Sequence, residues 1–178
     1  MPNREERINN LRNANEKAHE IVVESLKQAL YKLLAKKDLN AITVTELVKT
    51  AGVSRGVFYK YFYMVSDVFL DDIKVISALV NATMSSDLYM NWLNIFNAAY
   101  QHREKIRLLF KANMGMEMLN QLNAIARSYN GDTNEMIMWH GIIFNAIVSW
   151  ADDGFSMSAE EYARVYERLT SSIFRNQL

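Results

Sequence analysis

Apolar residues recur along this chain at helical spacing, and no segment alternates over the length of a strand. Ile21 and Val22, Leu26, Leu30, Leu33 and Leu34 form the first stripe. They predict an amphipathic helix over roughly residues 15 to 37, with Lys36-Lys37-Asp38-Leu39-Asn40 as its polar exit. Two short helices follow. In the first, Val44, Leu47 and Val48 share a side. Thr43 stands at the N-cap, and Glu46 can reach back to the Thr43 amide, completing a T-x-x-E capping box. Ala51-Gly52 ends this helix, glycine being best suited to the left-handed conformation of a sharp inter-helix turn. Val53 is an apolar plug, Ser54 a second N-cap, and Arg55 to Tyr61 a second short helix. Such a pair is a helix-turn-helix, whose second helix is shaped to enter the major groove of duplex DNA.

Further on, Ser66-Asp67 can open a fourth helix carrying Val68, Phe69, Ile73, Ile76 and Val80. Leu88, Trp92, Leu93, Phe96 and Tyr100 predict a helix over 87 to 101, and Lys105 to Lys111 a shorter one. Met118, Leu122 and Ile125 mark a helix from Met114 to Tyr129, broken by Asn130-Gly131-Asp132. Thr133 can cap a helix to about Ala151, and Asp152-Asp153-Gly154 signals a loop. Ser158 with Glu161 makes a second capping box, opening a last helix to about Arg175. The only proline is Pro2, so nothing in the interior forbids long helices. The chain therefore reads as all-α, with about nine helices. Residues 1–64 hold the three-helix, helix-turn-helix part shaped for DNA, and residues 65–178 a second helical part, which the resemblance described below implies is a ligand-binding and dimerisation domain.

The helix over 133 to 151 is apolar nearly all round, with Met136, Ile137, Met138, Trp139, Ile142, Ile143, Phe144, Ile147, Val148 and Trp150. Such a helix is buried on two sides, one by its own bundle and the other by a second subunit. Pairing the last two helices of each chain into a four-helix interface meets that need. DNA asks for the same, because two recognition helices must sit about 34 Å apart to read the halves of a near-palindrome.

Composition sharpens this picture. The net charge of zero hides an asymmetry: up to Tyr63 there are 11 Lys and Arg against 7 Asp and Glu, and beyond it 9 against 13. A basic first part and an acidic remainder fit a DNA reader joined to something that does not touch DNA. No apolar run approaches the ~18 residues of a membrane span. The charged N-terminus has no secretion-signal core, so a cytoplasmic protein is expected. With no cysteine, disulfides and Cys-based zinc sites are excluded. His19, His102 and His140 share no i, i+3 or i, i+4 spacing, so no metal site is expected. There is no glycine-rich phosphate loop, G-x-S-x-G elbow or H-E-x-x-H, so neither an enzyme nor a cofactor is expected.

The segment AGVSRGVFYKYF resembles the signature of TetR/AcrR-type regulators, A-G-V-S-x-G-x-x-Y-x-x-F, and the resemblance covers roughly residues 20 to 75. YQHREKIRLLF (100 to 110) and IVSWADDGF (147 to 155) resemble the C-terminal domain of Firmicutes-type members. The resemblance implies a homodimeric, ligand-responsive transcriptional regulator, most often a repressor, bound to a near-palindromic operator. A ligand entering the C-terminal domain would tilt the 66–82 helix and change the spacing of the two recognition helices.

Residues of the turn and second helix are the DNA-binding candidates. Ser54 and the amides behind it face the phosphate-binding end of a helix dipole. Arg55 is placed to read guanine O6 and N7, and Gly56 would let the helix start approach the groove. Thr45 is a phosphate candidate. Tyr59, Lys60 and Tyr61 match family positions near base or phosphate. Phe58 and Phe62 read as core, and Tyr59 has a structural alternative. At Met64-Val65 the chain departs from the family's small polar cap and lysine, which places a phosphate anchor in doubt.

For the effector domain, the resemblance implies a cavity among the central helices, walled by Trp92, Phe96, Met114, Met118, Trp139 and Phe144, for a small apolar or aromatic effector. His140 is the polar group in its helix that could bond a buried ligand. The domain is rich in methionine (Met84, Met90, Met114, Met116, Met118, Met136, Met138, Met157), which suits an adaptable pocket. Ordinary core and dimer packing is the alternative for these residues, and a protein partner is the alternative to a small molecule.

Overall fold

The computed structural model of the chain describes residues 4–82, 85–128 and 133–174. Among them the fold is all helical: α1 (Arg4–Leu34), α2 (Val44–Ala51), α3 (Arg55–Tyr61), α4 (Asp67–Ala82), α5 (Leu88–Gln101), α6 (Arg103–Lys111), α7 (Gly115–Arg127), α8 (Thr133–Asp152) and α9 (Ala159–Phe174), with a 3-10 turn at Leu39–Ala41. No helix is long and apolar enough to cross a membrane among the described residues. The expected Asn130-Gly131-Asp132 break, Met84, Tyr129 and Arg175 lie outside those residues. The chain packs as two compact units, Met1–Phe69 and Leu70–Leu178.

In the first unit, α1 begins about three turns before the expected start near residue 15 and ends at Leu34, before 37. Hydrophobic periodicity missed the added turns because they bury nothing within the chain: residues 5–21 are all exposed, including Ile8, Leu11 and Ile21. Helix-favouring Arg, Glu and Leu hold them, with Glu5 and Glu6 complementing the helix dipole. Leu26, Ala29, Leu30 and Leu34 are the face that is buried, while Leu33 is only half-buried. That face packs on α2, which in turn packs on α3, and Leu47, Val48, Phe58, Val65, Val68 and Phe69 are buried with it.

The second unit is built on two long helix pairs, α5 along α9 and α7 along α8, with α6 against α8. Its centre is aromatic. Trp92 stacks on Phe96 (5.3 Å between ring centroids) and tilts against Trp139 and Tyr166, each at 4.8 Å. Trp150 stacks on Tyr162 at 5.2 Å and meets Phe96 edge-on at the same distance. Two of the buried indoles find acceptors: Trp92 Nε1 donates to Thr170 Oγ1 (3.0 Å) and Trp150 Nε1 to the Met157 carbonyl (3.1 Å). Burial, then the neighbouring Tyr162, pushes the Tyr166 phenol up to about 12. Asp72 of α4, almost fully buried, is paired with Lys105 Nζ of α6 at 2.8 Å. The predicted box at the start of α9 is complete: Ser158 Oγ accepts the Glu161 amide (3.2 Å) and Glu161 Oε2 the Ser158 amide (3.0 Å).

Helix α8 does have a solvent-facing strip within one chain. Asn134, Met138, Asn145 and Ser149 are exposed, and Met136, Ile137, Ile142, Phe144 and Val148 are half-buried. Asn134, Asn145 and Ser149, about three turns and then one turn apart, supply the strip that a list of its apolar residues conceals.

Candidate nucleic-acid interface

A seven-residue helix has no independent stability, so α3 depends on its ends and its one buried anchor. Thr43 Oγ1 accepts the Glu46 amide at 3.2 Å, which starts α2. The second arm of that box is diverted, because the Glu46 carboxylate is engaged by Lys37 Nζ from the exit of α1. Gly52 closes α2 at φ 72°, with its own amide and that of Val53 both bonded to the Val48 carbonyl. Ser54 Oγ then accepts the Val57 amide at 3.2 Å and starts α3. Phe58 is wholly buried, worth about 1.5–3 kcal/mol over leaving it exposed. Phe62, expected in the core, is half-buried with its ring 5.8 Å from that of Phe58.

With Phe58 inward and Val57 half-buried, one face of α3 is left to solvent. Arg55, Gly56, Tyr59 and Lys60 are exposed, as are Ser54 and Thr45 at the starts of the two helices. The Arg55 guanidinium carbon lies 5.9 Å from the centre of the Tyr59 ring, so cation and aromatic face form one patch. Tyr61 is different. It is half-buried, its ring 4.5 Å from the His19 ring of α1, with Lys60 Nζ 5.2 Å from its centre. Six of the seven DNA-binding candidates therefore share exposure, and Tyr61 also ties α3 to α1.

Past α3, Val65 points into the core and α4 begins at Asp67. The carboxylate of Asp67 reaches back, its Oδ2 accepting the amide protons of both Tyr63 and Met64 at 2.9 Å. The Tyr63 and Met64 side chains stand out, 88% and 58% exposed. Neither was among the candidate residues. Their flanking by core Phe58 and Val65 is the only trace in the sequence of their position.

The effector candidates fall into two groups. Trp92, Phe96 and Trp139 belong to the aromatic centre described above, the Trp92 ring meeting each of the other two. Met114, Met118, His140 and Phe144 belong to α7 and α8: Phe144 meets Phe110 edge-on at 6.2 Å, above Gly115, while Met118 and His140 are buried. His140 is bonded to the Leu122 backbone, its Nδ1 has no hydrogen-bond partner, and burial holds its pKa below the ordinary histidine value. His102 serves as the junction of α5 and α6, its amide donating to the Ala99 and Tyr100 carbonyls.

Residues 27–63, from the second half of α1 to just past α3, match the family described as bacterial regulatory proteins, tetR family. No curated protein matches the chain. Among solved structures it is similar to the TetR family repressor AlkX from Dietzia sp. strain DQ12-45-1b, implicated in biodegradation of n-alkanes. The identity is 13% and the TM-score 0.53, over 85% of this chain and 94% of that one. It is also similar to the fatty acid degradation regulator FadR from Bacillus halodurans, at 16% identity and a TM-score of 0.54, over 83% of this chain and 93% of that one. At such identities the likeness is one of fold, and it extends well beyond the matched helix-turn-helix.

Proposed function

We propose that the chain is a TetR-family transcriptional regulator, a cytoplasmic repressor that binds a near-palindromic operator as a homodimer and releases it in response to a ligand. The observation that carries this reading is the helix-turn-helix whose second helix keeps one aromatic in the core and presents Arg55, Tyr59 and Lys60 to solvent. In it residues 1–64 read DNA. Residues 65–178, resembling the C-terminal part of Firmicutes-type members, bind the effector and the second subunit. Arg55 reads a guanine edge, Thr45, Ser54 and Lys60 hold phosphates, and Gly56 permits close approach. The dimer forms through α8 and α9, where Met138 and Leu169 are exposed. A small apolar or aromatic effector in the second unit would act through α4 only by binding one arrangement of the dimer better than the other.

The test is binding of the full chain to duplexes selected from a random-sequence pool. Arg55→Ala is expected to cost about 1–3 kcal/mol and to relax preference at one base pair. Lys60→Ala should weaken binding to all sequences and lower the salt slope by about 1. Unchanged binding by both variants refutes the assignment.

A second reading, in which the C-terminal unit binds a protein partner, is supported by the mutual packing of Trp92, Phe96 and Trp139, rings that fill space with one another. Native mass spectrometry of freshly purified protein separates the two: a retained small molecule favours the effector, and none in any preparation favours the partner.

A further inference from the structure

We propose that the exposed first turns of α1 make a second DNA contact, seated on the sugar-phosphate backbone beside the groove that α3 enters; this rests on α3 meeting duplex DNA. Residues 5–21 of α1 are all exposed, including Ile8 (50%) and Leu11 (65%), so packing within the chain does not account for them. Ile8, Leu11, Arg12, Asn15 and His19 recur at three- and four-residue spacing and share one face, with Arg7 at its border. Two turns beyond His19 the same face carries Leu26, which is wholly buried. The overhang therefore continues the core-facing side of α1 past the stretch that the helix-turn-helix covers.

His19 sets the place of this face beside α3. Its ring lies 4.5 Å from that of Tyr61, and Lys60 Nζ lies 5.2 Å from the centre of the same Tyr61 ring. The Lys60 ammonium, a phosphate ligand in the proposed complex, and the start of the overhang's face are therefore within about 10 Å of each other. From His19, Arg12 lies about 10 Å and Arg7 about 18 Å farther along the helix axis. The charge of the overhang is divided by side. Glu5, Glu6, Glu16 and Glu20 fall within about 100° of its circumference. The side that holds His19 carries Arg7 and Arg12 and no acid. Cations interleaved with aliphatic groups match a DNA strand, in which phosphates alternate with apolar deoxyribose.

The experiment uses the full-length chain and the duplex it selects from a random pool, in a long form and in one trimmed to the base pairs that the selection fixes. On the long duplex, Arg7→Ala with Arg12→Ala should weaken binding about tenfold at 0.15 M salt and lower the salt slope by about 2. Base preference should not change, because phosphate and sugar contacts carry no sequence information. Ile8→Ala with Leu11→Ala should weaken binding with the slope intact. Lys17→Ala, on the glutamate side, should leave both affinity and slope as in wild type. On the trimmed duplex wild type should fall to the level of the double arginine variant. Melting temperatures should be unchanged throughout, since every substituted side chain is exposed. The proposal is overturned if the arginine variant keeps the wild-type slope, if trimming weakens wild type and variant alike, or if Lys17→Ala lowers the slope as much as an arginine does. It is also overturned if Ile8→Ala with Leu11→Ala changes the sedimentation of the protein and not its DNA affinity, which would assign the face to a second copy. Failure of the underlying reading looks different: no duplex is selected, or Arg55→Ala and Lys60→Ala bind as wild type does.

Discussion

Gly52 holds φ at 72° with open space where a Cβ would stand, so its requirement is for the backbone alone. Gly52→Ala should lower the stability of the first unit by roughly 1–2 kcal/mol, the cost of a left-handed L-residue, with no added clash. Urea denaturation followed by helical signal measures it. A second turn stores its strain otherwise. Gly154 at φ 71° is followed by Phe155 at φ 58°, a bulky residue in an unfavourable region. The Phe155 ring is buried 5.0 Å from Trp150 and its amide donates to the Trp150 carbonyl at 2.8 Å, which offsets that cost. His140 carries a pH dependence. Burial lowers its pKa in the folded chain, so as pH falls through the unfolded value of about 6.5 the unfolded chain takes the proton first. The stability its burial sustains is therefore complete above that pH and declines below it. Wild type should lose more melting temperature between about pH 7.5 and pH 5.5 than His140→Gln does. Equal losses in the two proteins would count against a protonation penalty at this site.

At the scale of elements, what could be read beforehand was what is local. The Thr43, Ser54 and Ser158 caps each bridge three residues, so spelling alone placed them, and Gly52 had no competitor for its turn. The diversion of Glu46 to Lys37 joins residues nine apart across a change of element, and no capping pattern encodes it. The first turns of α1 escaped because periodicity registers burial, and they bury nothing. For the effector candidates, helical spacing put Trp92, Phe96 and Trp139 on inward faces, but it cannot tell rings that line a space from rings that fill one. The pairing of α4 with α6 through Asp72 and Lys105 was equally invisible, lying 33 residues apart. Lys105→Ala leaves a carboxylate almost without solvent. Since the lysine itself is 37% exposed, the expected loss of stability is about 1–3 kcal/mol, below the ~3–5 kcal/mol of a fully buried pair. Asp72→Asn with Lys105→Ala should restore part of it, and thermal melting of the three variants decides.

Over the whole molecule, the proposed function needs a second copy, and α8 and α9 give the means of removing it. Met138 on α8 is 47% exposed and Leu169 on α9 is 58% exposed, so neither is held by the core of a single chain. A substitution there changes the stability of an isolated chain by no more than about 0.5 kcal/mol. In a dimer joined through these helices the same two side chains would be desolvated, and Met138→Glu with Leu169→Glu would place four carboxylates in an apolar interface. The double variant is therefore expected to sediment as a folded monomer at micromolar concentration, with a helical spectrum like that of wild type. Wild type should sediment as a dimer. Binding to a duplex carrying both half-sites should fall more than tenfold, because two linked contacts become two independent ones. Binding to a single half-site, weak in both proteins, should be the same. A double variant that stays dimeric would move the interface off α8 and α9, and a monomeric wild type would remove the two-fold docking that the operator reading requires.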